Sequence, residues 1–133
     1  MALCFMTPAL REWIAKAEGD FNSCGREIRA RRQPNYDSAC FHAQQCVEKY
    51  LKARLQAAGV AFPKTHDLEV LLDMVLLLEP QWELTRPAIA QLTNYAVVFR
   101  YPGATASKAD ARTAFAHARF LRELARQSLG LKP

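Results

Sequence analysis

The stretch Cys40–Ala53, CFHAQQCVEKYLKA, decides how the chain folds. Its periodicity is helical. Cys40, Ala43, Val47, Leu51 and Leu55 recur at steps of three and four along one side, and Cys46, Tyr50 and Ala53 widen that side. His42, Gln45, Lys49, Lys52 and Gln56 form a narrow polar stripe. A helix apolar over so much of its circumference belongs at the centre of a bundle, with several neighbours packed on it.

The neighbours read outward from there. Upstream, Thr7-Pro8 has the chemistry of a helix start, with Thr as N-cap and Pro at the first helical position. Leu10, Trp13, Ile14, Ala17, Phe21, Cys24 and Ile28 continue at helical spacing until Gln33-Pro34-Asn35 breaks the helix. Asp37 or Ser38 is expected to cap the central helix, and Gly59 to close it. Downstream, Thr65 or Asp67 caps a third helix that runs to about Leu78; being apolar nearly all round, it should be well buried. A fourth helix is expected from Pro87 to Phe99, with Ile89, Leu92, Tyr95, Ala96 and Phe99 inward. Pro102-Gly103 enforces a turn. Ser107, with Asp110 three residues on, opens the last helix as an acidic capping box. Its apolar face is Ala111, Ala114, Ala118, Leu121, Ala125 and Leu129; an adjoining basic stripe carries Lys108, Arg112, Arg119, Arg122 and Arg126 with Phe115. No stretch alternates with period two and nothing repeats. The expectation is an all-α, up-and-down helical bundle of about five helices, one domain over 1–133 with its core at about 9–125.

Composition sets the bounds. Of the 133 residues 50% are hydrophobic and 23% charged, enough for a packed core without disulfides or metals. No apolar run approaches the roughly 18 residues of a membrane span, and MALCFMTPAL lacks the pattern of a secretory signal. The expected location is the cytoplasm, with no membrane partner. Four cysteines, at 4, 24, 40 and 46, form no CxxC pair; free cysteine behaves as a small buried hydrophobe. Cys40, His42 and Cys46 fit no familiar zinc spacing, so neither metal nor cofactor is expected. The net charge of +5 is uneven. Arg26, Arg29, Arg31 and Arg32 are opposed only by Glu27, and the last helix is basic too. Such clusters suit a phosphate-bearing partner and equally describe a solvated helical face.

Three pieces in order resemble the HEPN family of small bacterial and archaeal helical bundles. They are FHAQQCVEKYLKA (41–53), the loop Lys64-Thr65-His66-Asp67-Leu68, and Tyr95 followed by Arg100-Tyr101-Pro102; Trp13, Ala17 and Asp20 fit the same pattern. The resemblance implies a homodimer whose cleft is lined by polar motif residues, here His42, Gln45 and Lys49. It also implies a common association with a minimal nucleotidyltransferase, in toxin–antitoxin pairs. Active members are metal-independent RNases that use an Arg and a His four to six residues apart. The His moves a proton at the 2′-hydroxyl or the leaving oxygen, and the Arg holds the scissile phosphate.

Arg100 stands at the family's Arg position, but the residues at that gap are Thr105, Ala106 and Ser107. Arg112 and His117 match the spacing literally. Inside one continuous helix, however, five steps set them roughly 140° apart, so the match reads as coincidence. Two functions follow. One is a binding module for nucleotide or RNA phosphate, with Arg100, Tyr101, Lys108, Arg112 and Arg119 as contacts, Phe115 as a stacking surface, and a nucleotidyltransferase as partner. The alternative is an RNase in which Arg100 works with a histidine from elsewhere in the dimer, His66 or His42. The sequence leaves open whether the protein is an enzyme. It also leaves a structural role for Arg100 at the end of the fourth helix, and a capping role for His66. Glu48–Lys52 reads as an ordinary i,i+4 pair worth roughly 0.3–0.5 kcal/mol.

Overall fold

A computed structural model describes residues 6–133, so Cys4 lies outside it. The described residues are helical throughout, with no strand. α1 spans Pro8–Arg29, α2 Tyr36–Ala57, α3 Leu68–Val75, α4 Arg86–Val98 and α5 Lys108–Ser128, with a 3-10 helix at Pro80–Thr85 between α3 and α4. α2 packs against α1, α3, α4 and α5. Its residues Ala39, Cys40, Ala43, Cys46, Val47, Tyr50, Leu51 and Leu55 are all buried in the main core, so the helix expected at the centre is the axis of the bundle.

The helix ends show why the elements start where they do. Thr7 Oγ1 accepts the Leu10 N–H at 3.2 Å. Ser107 and Asp110 form the reciprocal capping box on α5. Gly59, at φ 70°, supplies the left-handed residue after α2. Asp67 caps α3 through the N–H groups of Glu69 and Val70.

Three expectations change. The cap of α2 is Asn35, whose Oδ1 accepts the Ser38 N–H at 2.9 Å. Asp37 acts at longer range. Its Oδ1 accepts the Ala106 N–H at 2.7 Å, tying the start of α2 to the entry of α5. α3 stops at Val75 and continues only as a turn. It is buried on one side alone, through Leu68, Leu71, Leu72 and Val75, while Leu77 is 87% exposed. Finally, the 3-10 helix buries Trp82 and Thr85, an element that periodicity did not signal.

α1 and α4 run antiparallel to α2 and α5 runs parallel to it, which gives the bundle two different ends. At one end Leu10, Ala53 and Leu129 close a small satellite core. Glu79 binds Arg54 at 3.1 Å and Ser128 Oγ at 2.8 Å there. At the other end the start of α2 meets the last turns of α1 and α4 and the start of α5.

Candidate functional site

The polar stripe of α2 is half-buried or buried and, at His42, Lys49 and Lys52, paired with acids. α1 supplies two acids at inward positions, Glu18 and Asp20, and α2 and α5 supply their partners. Asp20 accepts from His42 Nδ1 at 2.8 Å and from Lys49 Nζ at 2.5 Å. Glu18 takes a two-pronged bond from Arg122, both prongs at 2.7 Å, and the Tyr50 hydroxyl donates to it as well. Burial pushes the Glu18 carboxyl up, but the Arg122 and Tyr50 hydrogen bonds together outweigh it, and the net displacement is downward. Arg122 also lies 4.7 Å over the Phe21 ring. Two of the five basic-stripe residues of α5, Arg122 and Arg126, are thus held by Glu18 and Tyr50. Phe115 is stacked on Phe21 at 4.8 Å and packs on the core, so the surface expected to stack on a base is already covered.

A second polar knot joins α2 to the loop before α3. Lys52 Nζ donates to Glu48 Oε2 at 3.1 Å, with side chains only 7% and 3% exposed. This is a buried ion pair, so the energy of an exposed i,i+4 pair does not apply to it. Trp13 lies under the ammonium at 5.4 Å. The other Glu48 oxygen accepts from His66 Nδ1 at 3.0 Å, and the His66 carbonyl accepts from Gln44. His66 therefore does not cap α3. Its ring is held by one nitrogen while the side chain remains 83% exposed.

At the α2 start, a depression of about 330 Å³ opens between α2 and α4. Asn35, Asp37, Ser38 and Phe41 line one wall, and Tyr95, Ala96, Phe99 and Arg100 the other. Tyr95 and Phe99 rings lie 5.3 Å apart at 40°. The Tyr95 hydroxyl accepts from Gln91 at 2.9 Å, and Gln91 accepts from His117 Nε2 at 2.7 Å. Burial, then the nearby Asp110 charge, pushes the Tyr95 hydroxyl up; burial pushes the His117 imidazole down. Arg100 is exposed at the rim, and its side chain has no hydrogen bond or ion pair among the described residues. It satisfies no carbonyl at the end of α4. Tyr101 follows it, 62% exposed.

The remaining residues singled out in the sequence fall in three places. Lys108 and Arg112 line a groove with Arg29 and Arg31 from the end of α1. Arg119 is exposed farther along α5. Arg112 and His117 turn to different neighbours, the groove and α4. Arg100 and His66 both lie along the side of α2 marked by Asp37, Phe41, Gln44 and Glu48, but at different heights. At about 1.5 Å rise per residue the two heights differ by roughly 10 Å along the helix axis. Gln45 donates to its neighbour Gln44 at 2.8 Å. Cys24, Cys40 and Cys46 are free and buried, and burial pushes the first two up to about 12, leaving inert thiols. Among the described residues no three His, Cys, Asp or Glu are grouped to hold a metal. No described helix is long and apolar enough to cross a membrane.

Sequence reasoning missed the aromatic depression, because Phe41 reaches it from α2 and Tyr95 and Phe99 from α4. It also missed Glu18. The available signal was an acid one step from the inward Ala17 of α1.

A HEPN domain model matches residues 10–128. The chain belongs to the HEPN family. Its fold is similar to the crystal structure of an archaeal HEPN homologue, with a TM-score of 0.64 at 20% identity over 90% of this chain and 97% of that one. At that identity the likeness speaks to the HEPN fold alone. No curated protein matches the chain significantly.

Proposed function

We propose that this HEPN chain is a binding module that takes a nucleotide or an RNA phosphate at Arg100. The observation that carries the reading is an unpartnered guanidinium at the rim of a depression with aromatic walls. Guanidinium forks match phosphate oxygens. Phe41, Tyr95 and Phe99 offer rings to a base, and Asn35 and Asp37 offer polar edges to it. Tyr101 lies beside the phosphate position. In the same reading the protein is a homodimer, with His42, Gln45 and Lys49 near the cleft. The exposed Phe41, Val97, Val98 and Tyr101 are apolar surface that a second copy would cover. Pairing with a small nucleotidyltransferase in a toxin–antitoxin system rests on family membership.

A second reading, an RNase, is favoured by one observation. Glu48 fixes the His66 ring through Nδ1 and leaves Nε2 toward solvent, the orientation an acid–base group requires. In that reading Arg100 works with a His66 from elsewhere in the dimer.

The test is titration of AMP and of single-stranded RNA by fluorescence anisotropy, with cleavage followed in EDTA. Arg100→Ala is expected to weaken binding at least about tenfold while the melting temperature holds, since the side chain is exposed and unbonded. Equal affinity in wild type and variant would sink the reading. Cleavage abolished by His66→Ala, with binding intact, would establish the RNase instead.

A further inference from the structure

The groove on the other side of the α2 start has a volume of about 770 Å³. Arg29 and Arg31 come from the end of α1, Lys108 and Arg112 from the start of α5, and Pro34 and Tyr36 lie between them. The two basic clusters are far apart in sequence, and only the fold joins them. None of the four cations has an ion pair or side-chain hydrogen bond among the described residues.

The acids nearby each hold a backbone amide and pair with no cation of the groove. Glu27 accepts the Asn35 N–H at 3.0 Å. Asp37 holds the Ala106 N–H at 2.7 Å, and Asp110 holds the Ser107 N–H at 2.9 Å. Four cations, none in a direct ion pair, stand against these three carboxylates, so the groove keeps a positive balance that favours a polyanion. Arg86, by contrast, is directly paired with Asp73 and Glu83 across α3 and the 3-10 helix.

Tyr36 packs partly against the core and also lines the groove. Cations on both walls with an aromatic ring between them is the combination that binds single strands, phosphates to the cations and a base to the ring. A duplex keeps its bases stacked inside and leaves the ring unused. The segment from Pro34 to Asp37 serves both sites: Asn35 and Asp37 line the Arg100 depression, Pro34 and Tyr36 the groove.

We infer that this groove is a second subsite, which receives the phosphates flanking the nucleotide at Arg100, so that the ligand is a single-stranded oligonucleotide and not a mononucleotide. The inference rests on the Arg100 reading for the first subsite, and its experiment separates the two. Fluorescently labelled oligouridylates, from dinucleotide to hexanucleotide, and labelled UMP are titrated onto the full chain over a salt series. The variants are Arg29→Gln with Arg112→Gln, Tyr36→Leu, Tyr36→Phe and Arg100→Ala.

Affinity is expected to rise with length. The double arginine variant should lose about tenfold or more for the hexanucleotide, and its salt slope should flatten by about 0.7 for each phosphate it no longer neutralises. UMP binding should be unchanged in it. Tyr36→Leu should weaken the hexanucleotide, and Tyr36→Phe should restore it. Unchanged hexanucleotide affinity in the double variant overturns the groove, as does competition by polyglutamate or duplex RNA at the same concentration. UMP binding that survives Arg100→Ala overturns the first subsite alone and leaves the groove standing.

Discussion

Two regions of this molecule use the same basic side chains to opposite ends. Along the seam between α1, α2 and α5, each cation meets an acid: Lys49 with Asp20, Lys52 with Glu48, and Arg122 with Glu18. Around the start of α2, Arg29, Arg31, Arg100, Lys108 and Arg112 meet none among the described residues. The net charge of +5 is therefore a poor summary. What matters is that the seam cations are paired with acids, while those around the α2 start are not. The first set contributes to the specificity of the fold, the second to recognition.

The comparison breaks most visibly in the seam. Glu48→Ala leaves Lys52 buried without its carboxylate, and the expected loss is about 3–5 kcal/mol in urea unfolding. Replacing the pair together, by Glu48→Leu with Lys52→Met, should recover most of it. If the double variant were as unstable as Glu48→Ala, the pairing would not be the source of the loss.

Acid should act on the seam next. The folded pKa of Glu18 lies below its ordinary value of 4.5. Between the two the unfolded chain binds the proton and the folded chain does not. Stability from this carboxylate is thus complete above about pH 4.5 and is lost as pH falls through the folded value. His117, pushed down from 6.5 by burial, contributes in the same direction at higher pH: full above 6.5, declining as pH falls. Melting temperature against pH should show both steps. Glu18→Gln should flatten the lower step and His117→Gln the upper one.

Gly25 lies between the two regions. A Cβ there would stand 2.9 Å from the Arg29 guanidinium and 3.5 Å from Phe115, the first a flexible tip and the second an ordinary van der Waals distance. Gly25→Ala should therefore stabilise α1 by up to about 1 kcal/mol while moving Arg29. A gain in melting temperature with altered oligonucleotide binding would sharpen the division, because the seam improves and the basic end does not.

The smallest effects belong to the unpaired cations. Arg31→Ala and Arg112→Ala are expected to change stability by no more than about 0.5 kcal/mol. A larger loss in thermal melts would place them in the structural set.

Sequence periodicity is a property of one helix at a time, and what it revealed follows from that. The apolar faces of α2 and α5, the capping box at Ser107 and Asp110, and the stop at Gly59 all depend on local spacing. α3 was overread because Leu76–Leu78 continues its apolar run, though the backbone there turns and Leu77 faces solvent. The cap of α2 is Asn35 because the helix begins earlier than expected, at Tyr36, which places Asp37 inside the first turn. The stripe of His42, Lys49 and Lys52 shows its paired character only when Asp20 and Glu48 are set beside it. Of the candidate site, Arg100 was legible from the rigid turn after it. The depression was not, since its walls come from helices that meet only in three dimensions.

The hydrogen bond from the Ala106 amide to Asp37 makes that amide a natural spy. It sits outside any helix, just before α5, in a segment where backbone protons ordinarily exchange with solvent quickly. Its protection comes from one carboxylate at the start of α2 and from the burial of Ala106 in the core. The exchange of this proton with deuterium therefore times the parting of α2 from the α5 entry, and a ligand that bridges the two should slow it.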